Sequence, residues 1–111
     1  MLKYEDNENL ISISILNEMN IYSATELKTL LDKLIDDKRD MEINLDGVSE
    51  IDSAGIQLLM LIKQERNNNN LRLSLVQHSN AVLDAFEFLG LVSYFNDPVL
   101  LTNRKGDLHG T

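Results

Sequence analysis

Residues 46–55 read Asp46-Gly47-Val48-Ser49-Glu50-Ile51-Asp52-Ser53-Ala54-Gly55, and this segment decides the fold because it leads from a strand into a helix. Asp46-Gly47 has the composition of a turn, and an apolar series that suits a helix begins at Ile56. Ser53 therefore lies where a short extended loop becomes a helix. The first backbone N–H groups of a helix have no acceptor within it, so we expect the Ser53 hydroxyl to lie beside them.

This position gives Ser53 two compatible interpretations. As a helix N-cap, its hydroxyl would contribute about 1 kcal/mol of stability. As an exposed hydroxyl, it could carry a phosphate, whose charge of about −1.5 to −2 would meet free N–H donors and the positive end of the helix dipole. Asp46, Glu50 and Asp52 lie nearby in sequence, and their like charge would raise the negative potential that a docked partner meets after modification.

Strands are predicted on both sides of this segment by alternating apolar and polar residues. Alternation indicates strands at Leu10–Leu16, Met41–Leu45 and Leu71–Val76, and a short apolar strand is expected around Val99–Leu101. Residues 104–111 are polar and terminal, so we expect them to form a flexible tail.

Three helices are predicted between these strands. The first is expected from Ala24 to Asp37, with Ser23 and Glu26 at the spacing of a capping box. The second starts near Ser53 and ends at the connection 67–70, and the third runs from the Ser79-Asn80 cap to about Gly90. Alternating strands and helices predict one α/β layer domain with parallel strands.

The second helix is apolar around most of its circumference. Its apolar residues are Ile56, Leu58, Leu59, Met60, Leu61 and Ile62. Such a helix is either buried on two sides or carries an exposed contact patch, and Met60 and Leu61 are the candidates for exposure.

Composition excludes several classes of function. A chain of 111 residues supports one hydrophobic core. Its net charge of −8 disfavours direct contact with nucleic acid or anionic lipid and favours a basic partner. Acidity alone also serves to keep small proteins soluble. No apolar run approaches the roughly 18 residues that cross a bilayer, and the start of the chain lacks an export signal. With no cysteine, the chain has no disulfide and no thiolate site. We expect a cytoplasmic protein that does not insert into membranes.

Rival chemistries lack residues that they require. A receiver domain phosphorylated at Asp46 would need an acidic pair after the first strand and a lysine near the last, whereas Glu18 stands alone and Lys105 falls in the predicted tail. The sequence has no serine nucleophile elbow and no phosphate-binding glycine loop. It also has no histidine pair at metal-binding spacing, because His78 and His109 are isolated. We therefore expect no enzyme activity, no cofactor and no metal site.

The chain resembles the STAS domain, the family named for sulphate transporters and anti-sigma factor antagonists, up to about Asn103. The resemblance is carried by residues 44–56, by residues 20–27 at the start of the first helix, and by Phe88-Leu89-Gly90-Leu91. It implies a mixed four- to five-stranded sheet flanked by helices, with the domain at 1–103 and the tail at 104–111.

For antagonist members, the resemblance implies that Ser53 is phosphorylated by an anti-sigma factor with serine kinase activity. The unmodified form binds this kinase, the phosphorylated form releases it, and a serine phosphatase restores binding. Asp52 would shape the phosphoacceptor loop, and Asn20 would lie near the partner surface. The predicted partner-binding residues are Asn20, Asp52, Ala54, Gly55, Gln57, Met60 and Leu61.

The sequence departs from the usual family pattern at Asn17-Glu18-Met19-Asn20, where many members have glycine first and aspartate last. Related single-domain members also serve other partner-switching circuits. The alternative function is therefore a scaffold subunit of a lipid transport or chemotaxis-linked assembly, which would use the same surface without phosphorylation.

Overall fold

The structure is a computed structural model that describes residues 2–91. Nine helices and strands follow one another along this part of the chain. They are β1 (Leu2–Asp6), β2 (Leu10–Ile15), β3 (Asn17–Met19), α1 (Ala24–Asp32), β4 (Asp40–Asn44), β5 (Val48–Ile51), α2 (Ser53–Asn68), β6 (Leu73–Val76) and α3 (Asn80–Leu89). The predicted strand at Val99–Leu101 and the predicted boundary between residues 103 and 104 lie outside the described residues.

The main sheet has four strands in the order β1-β2-β4-β6. The pairs β2–β4 and β4–β6 are parallel, whereas β1 runs antiparallel to β2. In the centre, Ile13 lies opposite Ile43, and Ile43 lies opposite Leu75. All three side chains are at most 1% exposed, so this row forms the centre of the core. The predicted mixed α/β sheet is confirmed.

Burial on β2 explains the alternation of isoleucine and serine. Ile11, Ile13 and Ile15 are fully buried, while Ser12 and Ser14 are only partly covered. Leu27 and Leu31 of α1 pack into the same core. Removing this apolar surface from water, at about 25 cal/mol per Å², is the main force that holds the helices on the sheet.

Three strands, β1, β3 and β5, were not predicted, and none of them has a clear alternation of buried and exposed residues. Residues 48–51, expected to be a loop, form β5, which pairs with β3 in a separate two-stranded parallel sheet. Residues 2–6 form β1, in which every residue after Leu2 is exposed. β1 is a strand because its backbone pairs with β2, and this interaction leaves no hydrophobic pattern.

The prediction that α1 extends to Asp37 is wrong, because the regular helix ends at Asp32. The chain continues in tighter turns, in which the Leu34 nitrogen donates to the Leu31 carbonyl and the Asp37 nitrogen to the Leu34 carbonyl. These turns keep Ile35 buried, at 5% exposure. The apolar spacing that suggested a longer helix therefore reflects burial beyond the end of α1.

A fully buried arginine holds two connections together. Arg66 of α2 is 0% exposed, and its guanidinium donates hydrogen bonds to backbone carbonyls of two separate connections. Its acceptors are the carbonyl oxygens of Ile35, Asp37, Arg39 and Arg72. Arg66 thus ties the α1–β4 connection to the α2–β6 connection. The expected end of α2 before residue 67 is also slightly early, because the helix includes Asn68.

The third helix agrees with its prediction. The Ser79 hydroxyl accepts a hydrogen bond from the Val82 nitrogen at 3.3 Å, which caps α3. The helix ends before Gly90, whose φ of 69° is in the left-handed region that glycine adopts without strain. Within residues 2–91, no helix is both long and apolar enough to cross a membrane.

Candidate functional site

The N-cap of α2 is Asp52, so the expectation that Ser53 caps this helix is wrong. Asp52 has extended backbone angles, and its Oδ1 accepts hydrogen bonds from the nitrogens of Ala54 at 2.9 Å and Gly55 at 3.1 Å. Aspartate and serine are both strong N-caps, but only one residue can occupy the position. Ser53 is therefore the first residue of α2, and its side chain is exposed.

Asp52 also joins α2 to the loop between β3 and α1. Its second oxygen, Oδ2, accepts a hydrogen bond from the Ile21 nitrogen at 3.1 Å. Its own backbone nitrogen donates to the Met19 carbonyl at 3.1 Å. The resemblance implied that Asp52 shapes the phosphoacceptor loop. In the structure, its carboxylate and its backbone nitrogen both bond to the segment that leads from the end of β3 to α1.

Asn20 organises the β3–α1 loop from within. Its Oδ1 accepts hydrogen bonds from the nitrogens of Tyr22 at 2.9 Å and Ser23 at 3.1 Å. Ser23 does not form the predicted capping box with Glu26, because its hydroxyl accepts from the Asn20 nitrogen and donates to the Glu18 carbonyl. Asn20 thus lies in an ordered loop that is hydrogen-bonded to the start of α2.

Gly55 lets the first turn of α2 approach β3 closely. A Cβ atom at this position would lie 2.3 Å from the Met19 carbonyl oxygen and 2.8 Å from Cγ1 of Ile51. Gly55 itself is buried. Its influence on a partner would therefore act through the position of Ser53 rather than through direct contact.

The surface beside Ser53 is a shallow groove of about 240 Å³ between α1 and α2. Its lining residues are Ala24, Thr25, Lys28, Ala54, Gln57, Leu58 and Leu61. Leu61 is 40% exposed, so the prediction that its side chain reaches the surface of α2 is confirmed. Met60 was expected to be exposed, but it is half-buried and packs against the core. Most of the apolar circumference of α2 is therefore used for folding.

The predicted partner-binding residues are therefore only partly gathered on one surface. Ala54, Gln57 and Leu61 line the groove, and Asp52 and Asn20 hold the two segments that meet at its end. Sequence reasoning missed Ile21 and Tyr22, which are 67% and 91% exposed in the same loop. The signal for them in the sequence is the position of two large apolar side chains directly before Ser23, the predicted N-cap of α1.

The charges around this surface are mainly negative. Glu18, Glu26 and Glu50 are exposed on the neighbouring β3, α1 and β5. Lys28 lies in the groove, and its ammonium donates to Asp32 at 2.9 Å; this hydrogen bond raises the pKa of Lys28. A phosphate on Ser53 would therefore add to an existing negative field.

The described residues include no cluster of metal-ligating side chains and one buried histidine. Within residues 2–91, no three His, Asp or Glu side chains are grouped closely enough to hold a metal ion. His78, expected in a loop, does lie between β6 and α3, but it is only 4% exposed and packs edge-on against Phe86. Burial lowers the pKa of His78 to about 4, so this imidazole is neutral near pH 7.

Comparison with known proteins agrees with this geometry. One relative, an anti-sigma-B factor antagonist of Staphylococcus aureus, is 28% identical over 85 residues, which cover 76% of this chain and 79% of that protein. The anti-sigma factor antagonist SpoIIAA in its unphosphorylated form superposes with a TM-score of 0.70 and 18% identity, covering 100% of this chain and 98% of that one.

Two further structures have the same fold. An anti-sigma factor antagonist from Mycobacterium paratuberculosis gives a TM-score of 0.73 at 20% identity, over 93% of this chain and 92% of that one. The phosphorylated form of SpoIIAA from Bacillus gives 0.66 at 19% identity, over 89% and 92%. The family model for the STAS domain matches residues 1–105. This chain therefore belongs to the STAS domain family.

Proposed function

We propose that this protein is a partner-switching regulator of the anti-sigma factor antagonist type. Its unmodified form binds an anti-sigma factor with serine kinase activity, and phosphorylation of Ser53 by that kinase releases it until a serine phosphatase removes the phosphate. The observation that carries this proposal is the exposed Ser53 at the first position of α2, beside a groove. The relative named as an anti-sigma-B factor antagonist supports it. The protein acts in the cytoplasm, by binding and without catalysis.

The position of Asp52 determines how a phosphate would act. Its Oδ1 already accepts from the Ala54 and Gly55 nitrogens, which are donors that a phosphate at this helix end would otherwise use. A phosphate on Ser53 would therefore stand beside a carboxylate and receive little neutralisation from these N–H groups. It would remain at the surface as an added charge of about −1.5 to −2.

That charge is sufficient to control binding. A tenfold loss of affinity needs only about 1.4 kcal/mol. Burying a poorly paired anion in an interface costs more than this, because the anion loses its hydration without gaining partners. The same surface can therefore bind tightly in one state and release its partner in the other.

Two substitutions at Ser53 test the proposal. We expect Ser53→Ala to keep wild-type affinity for the anti-sigma kinase of the same organism but to resist phosphorylation. We expect Ser53→Asp to bind at least about tenfold more weakly, which is a difference of about 1.4 kcal/mol. Ser49→Ala is the matched control, because Ser49 is also exposed but lies on β5 before the cap, and this variant should be phosphorylated normally.

A constitutive scaffold would give a different result. In that alternative, Ser53→Ala and Ser53→Asp would bind the partner with equal affinity. Peptide mapping after incubation with the kinase, ATP and magnesium would then find no phosphate on the peptide that contains Ser53. Either result would contradict switching at this hydroxyl.

A further inference from the structure

Two large apolar side chains protrude beside the proposed switch. Ile21 is 67% exposed and Tyr22 is 91% exposed, in consecutive positions of the β3–α1 loop. Single exposed apolar residues are common on protein surfaces and need no explanation. Two adjacent ones, in the loop that is hydrogen-bonded to the residue before Ser53, form a local apolar projection, which we call the Ile21–Tyr22 knob.

The backbone of the knob is held in place at both residues. The Ile21 nitrogen donates to Asp52 Oδ2 at 3.1 Å, and the Tyr22 nitrogen donates to Asn20 Oδ1 at 2.9 Å. A side chain presented from an ordered backbone loses less conformational entropy on binding than one on a free loop. Tyrosine is also enriched among the residues that dominate interface energies. These features suit the knob to act as an anchor.

The knob and the groove are connected through neighbouring residues of the chain. The groove begins at Ala24 on α1, two residues after Tyr22, and at Ala54 on α2, one residue after Ser53. Leu61, at 40% exposure, lies farther along the same groove. A partner that covers Ser53 would therefore meet a projecting apolar pair on one side and a shallow, partly apolar groove on the other.

Charge indicates which kind of partner fits. Glu18, Glu26 and Glu50 are exposed on the elements around the knob, and the whole chain carries a net charge of −8. A second copy of this chain would bring the same carboxylates face to face, which is unfavourable. A surface rimmed with lysine and arginine would be attracted to them. The occupant is therefore a different protein with a basic contact face.

We propose that the Ile21–Tyr22 knob inserts into an apolar pocket, rimmed by basic side chains, on the kinase partner. This inference rests on the proposed function and adds a division of roles to it. The knob supplies affinity in both states of the protein. The basic rim faces the carboxylates beside the knob, whereas Ser53 meets a part of the partner without basic side chains, so a phosphate there is buried unpaired and lowers the affinity. Tyr22 is then an anchor of the complex and takes no part in the chemistry of phosphorylation.

The test compares three tyrosine variants against the purified anti-sigma kinase of the same organism. Tyr22→Ala should bind at least about 30-fold more weakly, the effect of losing an interface hot spot. Tyr22→Phe should bind within about threefold of wild type if the ring provides the anchor. Tyr4→Ala is the control, because Tyr4 is 53% exposed on β1, which does not contribute to the site, and its affinity should not change.

Three further readouts make the outcome decisive. Wild-type affinity should fall as salt is raised, because attraction between exposed charges is screened within about 10 Å at 0.1 M salt. Thermal unfolding of Tyr22→Ala should match wild type, since this side chain is 91% exposed. Sedimentation of the free protein should show a monomer, and a dimer that Tyr22→Ala dissociates would overturn the assignment of the knob to a basic partner.

The inference and the proposed function fail in distinguishable ways. If Ser53→Asp weakens binding and Tyr22→Ala does not, the knob is not an anchor and the switch stands. If Tyr22→Ala weakens binding and Ser53→Asp does not, the anchor stands and the switch is wrong. If the wild-type protein does not bind the kinase, both proposals are wrong.

Discussion

The carboxylate of Asp52 connects two segments that are distant in sequence, because its Oδ2 accepts the backbone N–H of Ile21 at 3.1 Å. Its other oxygen caps α2 through the nitrogens of Ala54 and Gly55. One side chain therefore sets the position of the β3–α1 loop relative to Ser53. The proposed anchor and the proposed switch are held in a fixed relation by this carboxylate.

Removing the Asp52 carboxylate should loosen both segments. We expect Asp52→Ala to lower the free energy of unfolding by about 1–2 kcal/mol through loss of the cap, as measured by urea denaturation. Asp52→Ser should retain most of this stability, because serine caps helices well, but its short side chain would not reach the Ile21 nitrogen.

Hydrogen exchange at the Ile21 amide distinguishes these two contributions. Exchange should become faster in both Asp52 variants and stay unchanged in Asp46→Ala, which removes an exposed carboxylate outside the cap. An unchanged Ile21 exchange rate in Asp52→Ala would show that the link between the loop and α2 has no energetic importance.

Gly55→Ala should destabilise the protein although helix propensity alone predicts the opposite. Alanine is favoured over glycine in a helix by about 1 kcal/mol. Here the added Cβ would lie 2.3 Å from the Met19 carbonyl oxygen, so α2 and β3 must separate. We expect a net loss of about 1–3 kcal/mol in the free energy of unfolding, as for other overpacked sites. A variant more stable than wild type would refute the close approach of these elements.

Replacing Arg66 should be among the most damaging single changes in the described part of the chain. Arg66→Met would leave backbone carbonyls such as those of Asp37 and Arg39 without their donor, and we expect a loss of about 3–5 kcal/mol. Arg66→Lys should rescue only part of this, because an ammonium cannot reproduce the planar fork of a guanidinium. Denaturant unfolding measures both, with Arg72→Lys as an exposed control that should change stability by less than about 0.5 kcal/mol. A wild-type midpoint for Arg66→Met would contradict this role.

His78 should make the folded state sensitive to acid. Its pKa is about 4 in the folded protein and 6.5 in its usual range, so the unfolded chain binds the proton first as pH falls. Its contribution to stability is complete above pH 6.5 and is lost progressively as pH falls towards about 4. We expect the free energy of unfolding to fall less in His78→Phe than in wild type between about pH 7 and pH 5. Parallel pH profiles for the two proteins would show that His78 does not titrate on unfolding.

The parts of the fold that the sequence predicted are those in which burial follows a simple period. β2 and β4 were located to within one residue because one face of each is buried. β1 was missed because its side chains are mostly exposed, and β5 because Val48 and Ile51 do not alternate across its two faces. Pairing through the backbone leaves no hydrophobic pattern to recognise.

The position of the site was predicted, but the residue that caps α2 and the burial of individual side chains were not. The loop-to-helix position of Ser53 was correct, but Asp52 takes the cap, and propensity cannot rank two good caps in adjacent positions. The burial of Arg66 could not be predicted, because its acceptors come from connections about 6 to 31 positions away. The exposure of Tyr22 likewise depends on how the loop folds onto Asp52.

The most direct test of the central claim is to compare the affinity of the anti-sigma kinase for the unmodified protein and for protein carrying phosphoserine at position 53 in every molecule. Isothermal titration calorimetry on the two forms would measure this difference without relying on a carboxylate as a substitute for phosphate. The account predicts binding at least about tenfold weaker, a loss of about 1.4 kcal/mol, for the phosphorylated form. Equal affinities for the two forms would contradict it.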